Sequence, residues 1–265
     1  MSDIIKSRFD KKLAVIFVFA ALAMLVFLSM GTSKAFADED ELIGAHIKDG
    51  VLKSYHGPGG DIVIPNTVTA IDGEAFQNDK KVTSVTIPGS VSNIGYKAFK
   101  GCRELKKVIF SDPVDGAEMI IRLEAFAACP KLTQVIIPAC AKYVTGNVFK
   151  GSGSLKEIKV DPKNKYYHTK DGVLFGPNVI EGEPQYDDNE IVLTAYPAGK
   201  EEGKYKVPDQ VAGKTVKRLW AGSFAQCKNL KQIDIPANVE TLSGYTFVED
   251  RKSTRLNSSH VKLSR

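Results

Sequence analysis

The 265 residues carry no catalytic signature. A Gly-x-Ser-x-Gly elbow, a His-Glu-x-x-His pair, a P-loop and a dinucleotide fingerprint are all missing, so no motif is present to hold an activated nucleophile, a zinc ion or a phosphate. Cysteine is scarce: there are four, none in a Cys-x-x-Cys spacing, which argues against thioredoxin-like chemistry and a zinc ribbon. His46 and His56 have no organised third or fourth ligand beside them and read as surface residues. The carboxylate pairs Asp187-Asp188 and Glu201-Glu202 fall in loops, where such pairs solvate a surface more often than they act as general acid and base. No cofactor and no metal is expected.

A basic footprint is missing as well, although the net charge is +5. Residues 1–37 hold 5 Lys/Arg against 2 Asp/Glu and residues 250–265 hold 5 against 1, which leaves 26 against 28 for residues 38–249. The body is slightly acidic, and a nucleic-acid partner is not indicated.

What the sequence does contain is a repeated phrase. Ile64-Pro65 returns as Ile87-Pro88 after 23 residues, Val68 as Val91, Ile71 as Ile94, Ala75-Phe76 as Ala98-Phe99 and Val82 as Leu105. Apolar residues returning at one fixed interval of this length, separated by Gly, Asn, Ser and Lys, mark a stacked solenoid. The spacing inside the phrase is tight. Pro to Phe is eleven residues in four rungs (Pro65 to Phe76, Pro88 to Phe99, Pro138 to Phe149, Pro236 to Phe247). Phe to the next Leu or Val is six residues in five rungs, ending at Val82, Leu105, Leu132, Leu155 and Leu230. Val85-x-Ile87 and its equivalents alternate as short strands that the Pro, lacking an N–H, terminates. The third rung departs from the pattern: Phe110-Ser111 replaces Ile-Pro, and four extra residues around Asp112 to Glu118 are expected to bulge outward.

These phrases resemble the BspA-like leucine-rich repeats of bacterial surface proteins, whose hallmark is Ile-Pro, then Ala-Phe, then Cys-x-x-Leu. The resemblance covers residues 61–160 and 207–249 and implies a leucine-rich repeat solenoid of ~23-residue rungs, mainly short β-strands with turns and short helical segments, behind an N-terminal signal helix. It implies little about the ligand, because such families are grouped by scaffold and bind varied partners.

Around the solenoid, the domain boundaries read as follows. Lys6, Arg8, Lys11 and Lys12 precede an apolar run from Leu13 to Met30, and Ala35-Phe36-Ala37 supplies a small-x-small cleavage site, so residues 1–37 are a secretory signal cleaved after Ala37, with an uncleaved anchor as the alternative. Residues 38–60 hold two short strands around Asp49-Gly50, a tight-turn dipeptide, and form a hairpin cap over the first rung. Rungs fill 61–160. The phrase fails at 161–206, where His168-Thr169-Lys170-Asp171-Gly172-Val173-Leu174 repeats His46-Ile47-Lys48-Asp49-Gly50-Val51-Leu52, a loop follows over 176–190, and Ile191 to Pro197 reads as a further strand. Rungs resume over 207–249 and stop incomplete. From Asp250 the string Asp-Arg-Lys-Ser-Thr-Arg-Leu-Asn-Ser-Ser-His matches the translation of a widely used sequencing-library adapter, so 250–265 is expected to be a non-native tail.

Cys102, Cys129 and Cys227 each fall three residues after a motif Phe, where other rungs have Asp79 and Ser152. Two readings stay open: a slot for something small and apolar, filled by free Cys, or a Cys102–Cys129 disulfide between rungs about 4.8 Å apart. Cys140 is out of register.

Two sets of residues are candidates for partner contact. If Val85 and Ile87 point inward, Val63, Thr86, Ile109, Ile136 and Lys159 point outward as a mostly β-branched column, which is either a strand-propensity choice or a contact site. Tyr166, Tyr167 and Tyr196, with Tyr205, either form a recognition patch or pack the modified rung. The leading function is a secreted or cell-surface protein that binds a protein or a cell-surface glycan without catalysis and without a membrane span in its mature body. The alternatives are a spacer or accessory module of a larger surface protein, and an extracellular enzyme built on the insertion around His168 and Asp171.

Overall fold

The computed structural model describes residues 42–145, 147–180, 183–244, 246–247 and 261–263. Ala35 and Ala37, with the whole signal segment, lie outside them. The described residues form a β-solenoid of about eight turns with rungs of about 23 residues. None of their helices is long and apolar enough to cross a membrane.

The chain enters through an antiparallel hairpin, β1 (Ala45–Lys48) and β2 (Val51–Tyr55), whose turn residues Asp49 and Gly50 sit at φ 52° and 73°. Two consecutive left-handed residues are what such a turn needs, and Asp and Gly tolerate that conformation. The chain then winds through β3 (Gly60–Val63), β4 (Ala70–Ile71), β5 (Val82–Ile87), β6 (Asn93–Ile94), β7 (Lys107–Phe110), β8 (Met119–Ile121), β9 (Gln134–Ile137), β10 (Ala141–Val144) and β11 (Glu157–Val160). Odd-numbered strands from β3 stack into one parallel sheet, and even-numbered strands from β4 extend the cap hairpin into a second. Pro65, Pro88 and Pro138 mark the corner between the two sheets, where their carbonyls accept the amides of Val68, Val91 and Ala141. In the third rung the extra residues do swing out, leaving Val114 63% exposed.

The third side of each rung corrects the expectation of short helical segments. Its described residues form turns, because the chain turns left-handed on either side of the motif Phe, at positions four residues apart. Glu74, Lys97, Glu124 and Gly222 lie two residues before a motif Phe, and Asn78, Gly101, Ala128, Gly151 and Gln226 two after, all at φ between 54° and 75°. A right-handed helix is interrupted at each such residue. These turns aim the amides of Glu74, Phe76 and Asn78 along the solenoid axis, onto the carbonyls of Tyr96, Ala98 and Lys100 one rung away. The next rung repeats this, with Lys97, Phe99 and Gly101 donating to Leu123, Ala125 and Ala127. A third ladder of inter-rung hydrogen bonds thus runs through residues that are not strands.

Inside, the aromatic rings stack in file: Tyr55 on Phe76 at 4.9 Å, Phe76 on Phe99 at 4.6 Å, Phe99 on Phe126 at 5.2 Å and Phe126 on Phe149 at 6.0 Å. Tyr55 stands in the Phe position of the cap turn, and its amide bonds Ala75 O as the amide of Phe76 bonds Ala98 O. Lys53–Asp72, Lys100–Glu124, Lys131–Glu104 and Lys142–Glu118 pair across neighbouring rungs at 2.6–3.0 Å. Lys100–Glu124 is partly buried; the other three are at the surface, where each adds little.

Past β11 the repeated hairpin is present as β12 (His168–Lys170) and β13 (Val173–Gly176), with Asp171 and Gly172 at φ 53° and 74°. The segment 176–190, expected as loop, contains a second small hairpin, β14 (Asn178–Ile180) with β15 (Glu183–Gln185). Next come β16 (Glu190–Ala195), β17 (Lys204–Lys206), β18 (Gln210–Val211), β19 (Lys214–Leu219), β20 (Gln232–Ile235), β21 (Thr241–Leu242) and β22 (Val261–Leu263). β18 and β19 form a fourth hairpin, around Ala212 and Gly213 at φ 52° and 79°, within residues read from the sequence as plain rungs. Strands β16, β19 and β21 lie parallel and restore one sheet, and β17, β20 and β22 the other. Of the tail expected to be non-native, 250–260 and 264–265 fall outside the described residues.

The interior has two clusters that meet in the inserted unit, the first holding Leu174 and Ala195 and the second Val173 and Tyr196. Two buried side chains fasten this unit to the rungs before it. Tyr167 stands where the ladder beyond β10 has no strand: its hydroxyl accepts the Val144 amide at 2.7 Å and donates to the Val144 carbonyl at 3.3 Å. Asn164 uses its whole amide, donating to Pro138 O at 2.7 Å and Ala141 O at 3.0 Å while its oxygen accepts the Tyr166 and Tyr167 amides at 2.8 Å. Tyr167→Phe is expected to lower unfolding free energy by about 1–3 kcal/mol, because both Val144 groups are then left buried without a partner. Denaturant titration measures it, and a change below about 0.5 kcal/mol would mean that another group, such as water, already satisfies Val144.

Candidate interaction surface

The outward column rests on the register of the first sheet. Val63 pairs with Thr86 and Thr86 with Ile109; Lys107 pairs with Gln134, which puts Ile109 beside Ile136; and Ile136 pairs with Lys159. Alternation along each strand turns the preceding residue inward, so Ile62, Val85, Val108, Val135 and Ile158 are buried. Of the column itself, Val63 is 65%, Ile109 36% and Ile136 51% exposed, Lys159 is exposed and Thr86 half-buried. At roughly 4.8 Å per strand, the five side chains make a ridge about 19 Å long, one residue wide.

A polar column runs beside it on the same face: Asp61, Ser84, Lys107, Gln134 and Glu157, again in register. The Asp61 carboxylate accepts the Thr83 and Ser84 hydroxyls at 2.6 and 2.7 Å, and these bonds hold its pKa below the ordinary carboxylate value. At the other end Glu157 pairs with Lys159 at 3.0 Å. The spacing rules of the repeat missed this second column because its residues share no chemical type from rung to rung.

The tyrosines do not form the surface patch that was one reading of them. Tyr167 and Tyr196 are 1% and 4% exposed, and Tyr205 lies against Tyr196 with ring centroids 5.0 Å apart. Tyr196 replaces Phe in the ring file, 5.2 Å from Phe224, because its rung needs a filler at that position. Burial pushes the phenol pKa of both Tyr196 and Tyr205 upward. Of these four only Tyr166 stays half-buried, its ring tilted against Tyr186 at 4.6 Å between centroids; the Tyr186 hydroxyl donates to Lys142 O at 3.2 Å.

Residues considered for chemistry are dispersed. His46 and His56 are exposed in the cap region. His168 is half-buried, and burial followed by the Lys214 charge lowers its pKa. Among the described residues no three His, Cys, Asp or Glu side chains cluster as a metal site.

All four cysteines are free and buried. In three rungs the slot after the motif Phe does something that size alone does not express: it supplies a second donor to the motif carbonyl one rung back. Cys102 Sγ donates to Phe76 O and Cys129 Sγ to Phe99 O, both at 3.1 Å, and Ser152 Oγ to Phe126 O at 2.8 Å. Cys227 Sγ faces Tyr196 O at 3.9 Å.

Comparison with known proteins adds family and fold. The family described as BspA type leucine rich repeat region matches residues 55–170 and 206–263, in six copies. No curated protein matches the chain. Among solved structures, the pneumococcal vaccine antigen PcpA is similar at 25% identity and TM-score 0.56 over 73% of this chain and 48% of that one. A leucine-rich repeat protein from Eubacterium ventriosum is similar at 22% identity and TM-score 0.44, over 76% of this chain and 59% of that one. The T. pallidum leucine rich repeat protein TpLRR is similar at 20% and 0.40, over 76% and 75%. The chain spans about half the length of the pneumococcal structure.

Proposed function

The chain belongs to the BspA-type leucine-rich repeat family, and from that premise we propose that it is a secreted or cell-surface binding protein without catalysis, whose first sheet receives a protein partner on the Val63, Thr86, Ile109, Ile136 and Lys159 column. The observation that carries this reading is the column itself, in which Val63, Ile109 and Ile136 remain exposed in register. Aliphatic side chains in a line favour a protein over a glycan, because glycan recognition depends on aromatic faces and hydrogen-bonding groups, whereas protein interfaces centre on apolar contact. The flanking Asp61, Ser84, Lys107, Gln134 and Glu157 supply a polar margin. Residues 1–37, read as a secretory signal, support a location outside the cytoplasm.

The experiment begins with a photo-crosslinking residue at Ile136, which is expected to capture a surface protein. Ile109→Lys with Ile136→Lys then weakens binding of that protein by about 10- to 100-fold, the loss of two buried Ile contacts, while the melting temperature hardly moves. Unchanged affinity would remove the column as the contact site and leave the spacer or accessory-module reading in its place.

A further inference from the structure

We propose that Cys102 and Cys129 are a covalent modification site, a thiol pair that a low-molecular-weight disulfide such as oxidised glutathione converts into a cross-link between neighbouring rungs. The two residues occupy the same slot of consecutive rungs, each three residues after its Phe. Those rungs are related by a near-pure translation, since the rings of Phe99 and Phe126 lie 5.2 Å apart and 10° from parallel. Equivalent atoms are therefore separated by a distance inside the range of about 4.4–6.8 Å that disulfide-bonded Cα atoms span.

Hydrogen bonding places the upper sulfur over the lower residue. The Phe99 carbonyl accepts Cys129 Sγ–H at 3.1 Å and the Cys102 amide at 3.3 Å, so Cys129 Sγ and the Cys102 backbone share one acceptor. Neither of the other thiols is arranged this way. Cys140 follows the corner residue Pro138, and Cys227 belongs to the Phe224 rung, separated from Cys129 by Ser152 and by the Tyr196 turn.

In the closed molecule the pair is inert. Both side chains are 0% exposed, and the hydrogen bond to Cys129, followed by burial, raises the Cys102 pKa far above its ordinary range. Reaction therefore follows local opening, when one thiol ionises and attacks the oxidised glutathione, releasing one glutathione thiolate. The second protein thiolate attacks the mixed disulfide at the protein sulfur and expels the other glutathione. Two cysteine thiols are oxidised, one glutathione disulfide is reduced to two thiols, and the two cysteine protons end on glutathione or solvent. The carbonyls of Phe76 and Phe99 lose their thiol donors but keep backbone ones, from Asp79 and Cys102.

The test incubates the protein with oxidised glutathione a few degrees below its melting temperature. The expected product is lighter by about 2 Da, retains two of its four thiols in denaturant, yields a proteolytic fragment joining Cys102 to Cys129, and melts about 6–12 °C higher until dithiothreitol is added. Cys102→Ser and Cys129→Ser each abolish the shift. Ser152 fills the same slot with the same hydrogen bond, so these variants are expected to fold. Four free thiols after incubation, a stable glutathione adduct, or a linkage involving Cys140 or Cys227 would each overturn the proposal.

Discussion

Phe99→Ala is expected to destabilise the protein by about 3–5 kcal/mol, and the central position of its ring explains why the loss falls in that range. Phe99 is fully buried between Phe76 at 4.6 Å and Phe126 at 5.2 Å. Its backbone is held on both sides as well, donating to Ala125 and accepting from Cys102. Neighbours tied into inter-rung ladders are unable to collapse into the vacated space, so a cavity term adds to the lost transfer free energy. Phe149→Ala removes a ring that, among the described residues, stacks on Phe126 alone, at 6.0 Å, and belongs at the lower end of the same range. Because each rung contacts only its neighbours, removing a central ring also weakens coupling between the rungs on either side and broadens thermal unfolding. Calorimetry tests both points. If Phe99→Ala cost no more than an exposed substitution, the stacked-ring account of this core would be wrong.

Asn164→Ala is expected to cost about 2–4 kcal/mol, although the residue is neither large nor part of the repeat. Its amide satisfies Pro138 O and Ala141 O and the amides of Tyr166 and Tyr167 at once, in a site where Asn164 is 6% exposed. Pro138 O keeps the Ala141 amide, so truncation leaves three backbone groups, Ala141 O and the Tyr166 and Tyr167 amides, to find water through a packed junction, at about 1–3 kcal/mol for each that fails. Asn164→Asp, nearly isosteric, is expected to be as damaging: a carboxylate has no N–H for Pro138 and Ala141 and turns its oxygens toward theirs. Faster hydrogen exchange at the Val144 amide, which Tyr167 caps, would accompany either change. A variant as stable as the parent, with Val144 still protected, would show that the inserted unit is held by its hydrophobic contacts alone.

The two substitutions divide what this sequence determined by itself from what the tertiary structure decided. In a solenoid every rung sees the same surroundings one translation away, so inward residues must recur at the same interval. The spacing of Pro65, Phe76 and Val82 and its repetition therefore identified the stacked rungs and the outward Val63 to Lys159 column. Wherever the period breaks, that information is lost. Asn164 and Tyr167 act on residues 23 to 26 positions earlier in the chain through hydrogen bonds that belong to no repeat, and nothing in their neighbours' types announces the partners. For Tyr196 the sequence leaves a surface patch and packing of the modified rung both open, because only the folded chain shows that its turn occupies a rung position and fills the Phe site.

The turns of the third side were illegible for a different reason. Glu74, Lys97, Glu124 and Ala128 adopt the left-handed conformation without being Gly or Asn, the residues that normally signal it. That conformation is imposed by the amides it directs into the neighbouring rung, a gain that exists only once the rungs are stacked. The cysteine slot shows the same division in a single residue. Its place three positions after the Phe was readable as a small, buried site, but the thiol's hydrogen bond goes to a carbonyl 26 or 30 residues away, which only the stacked structure brings into contact.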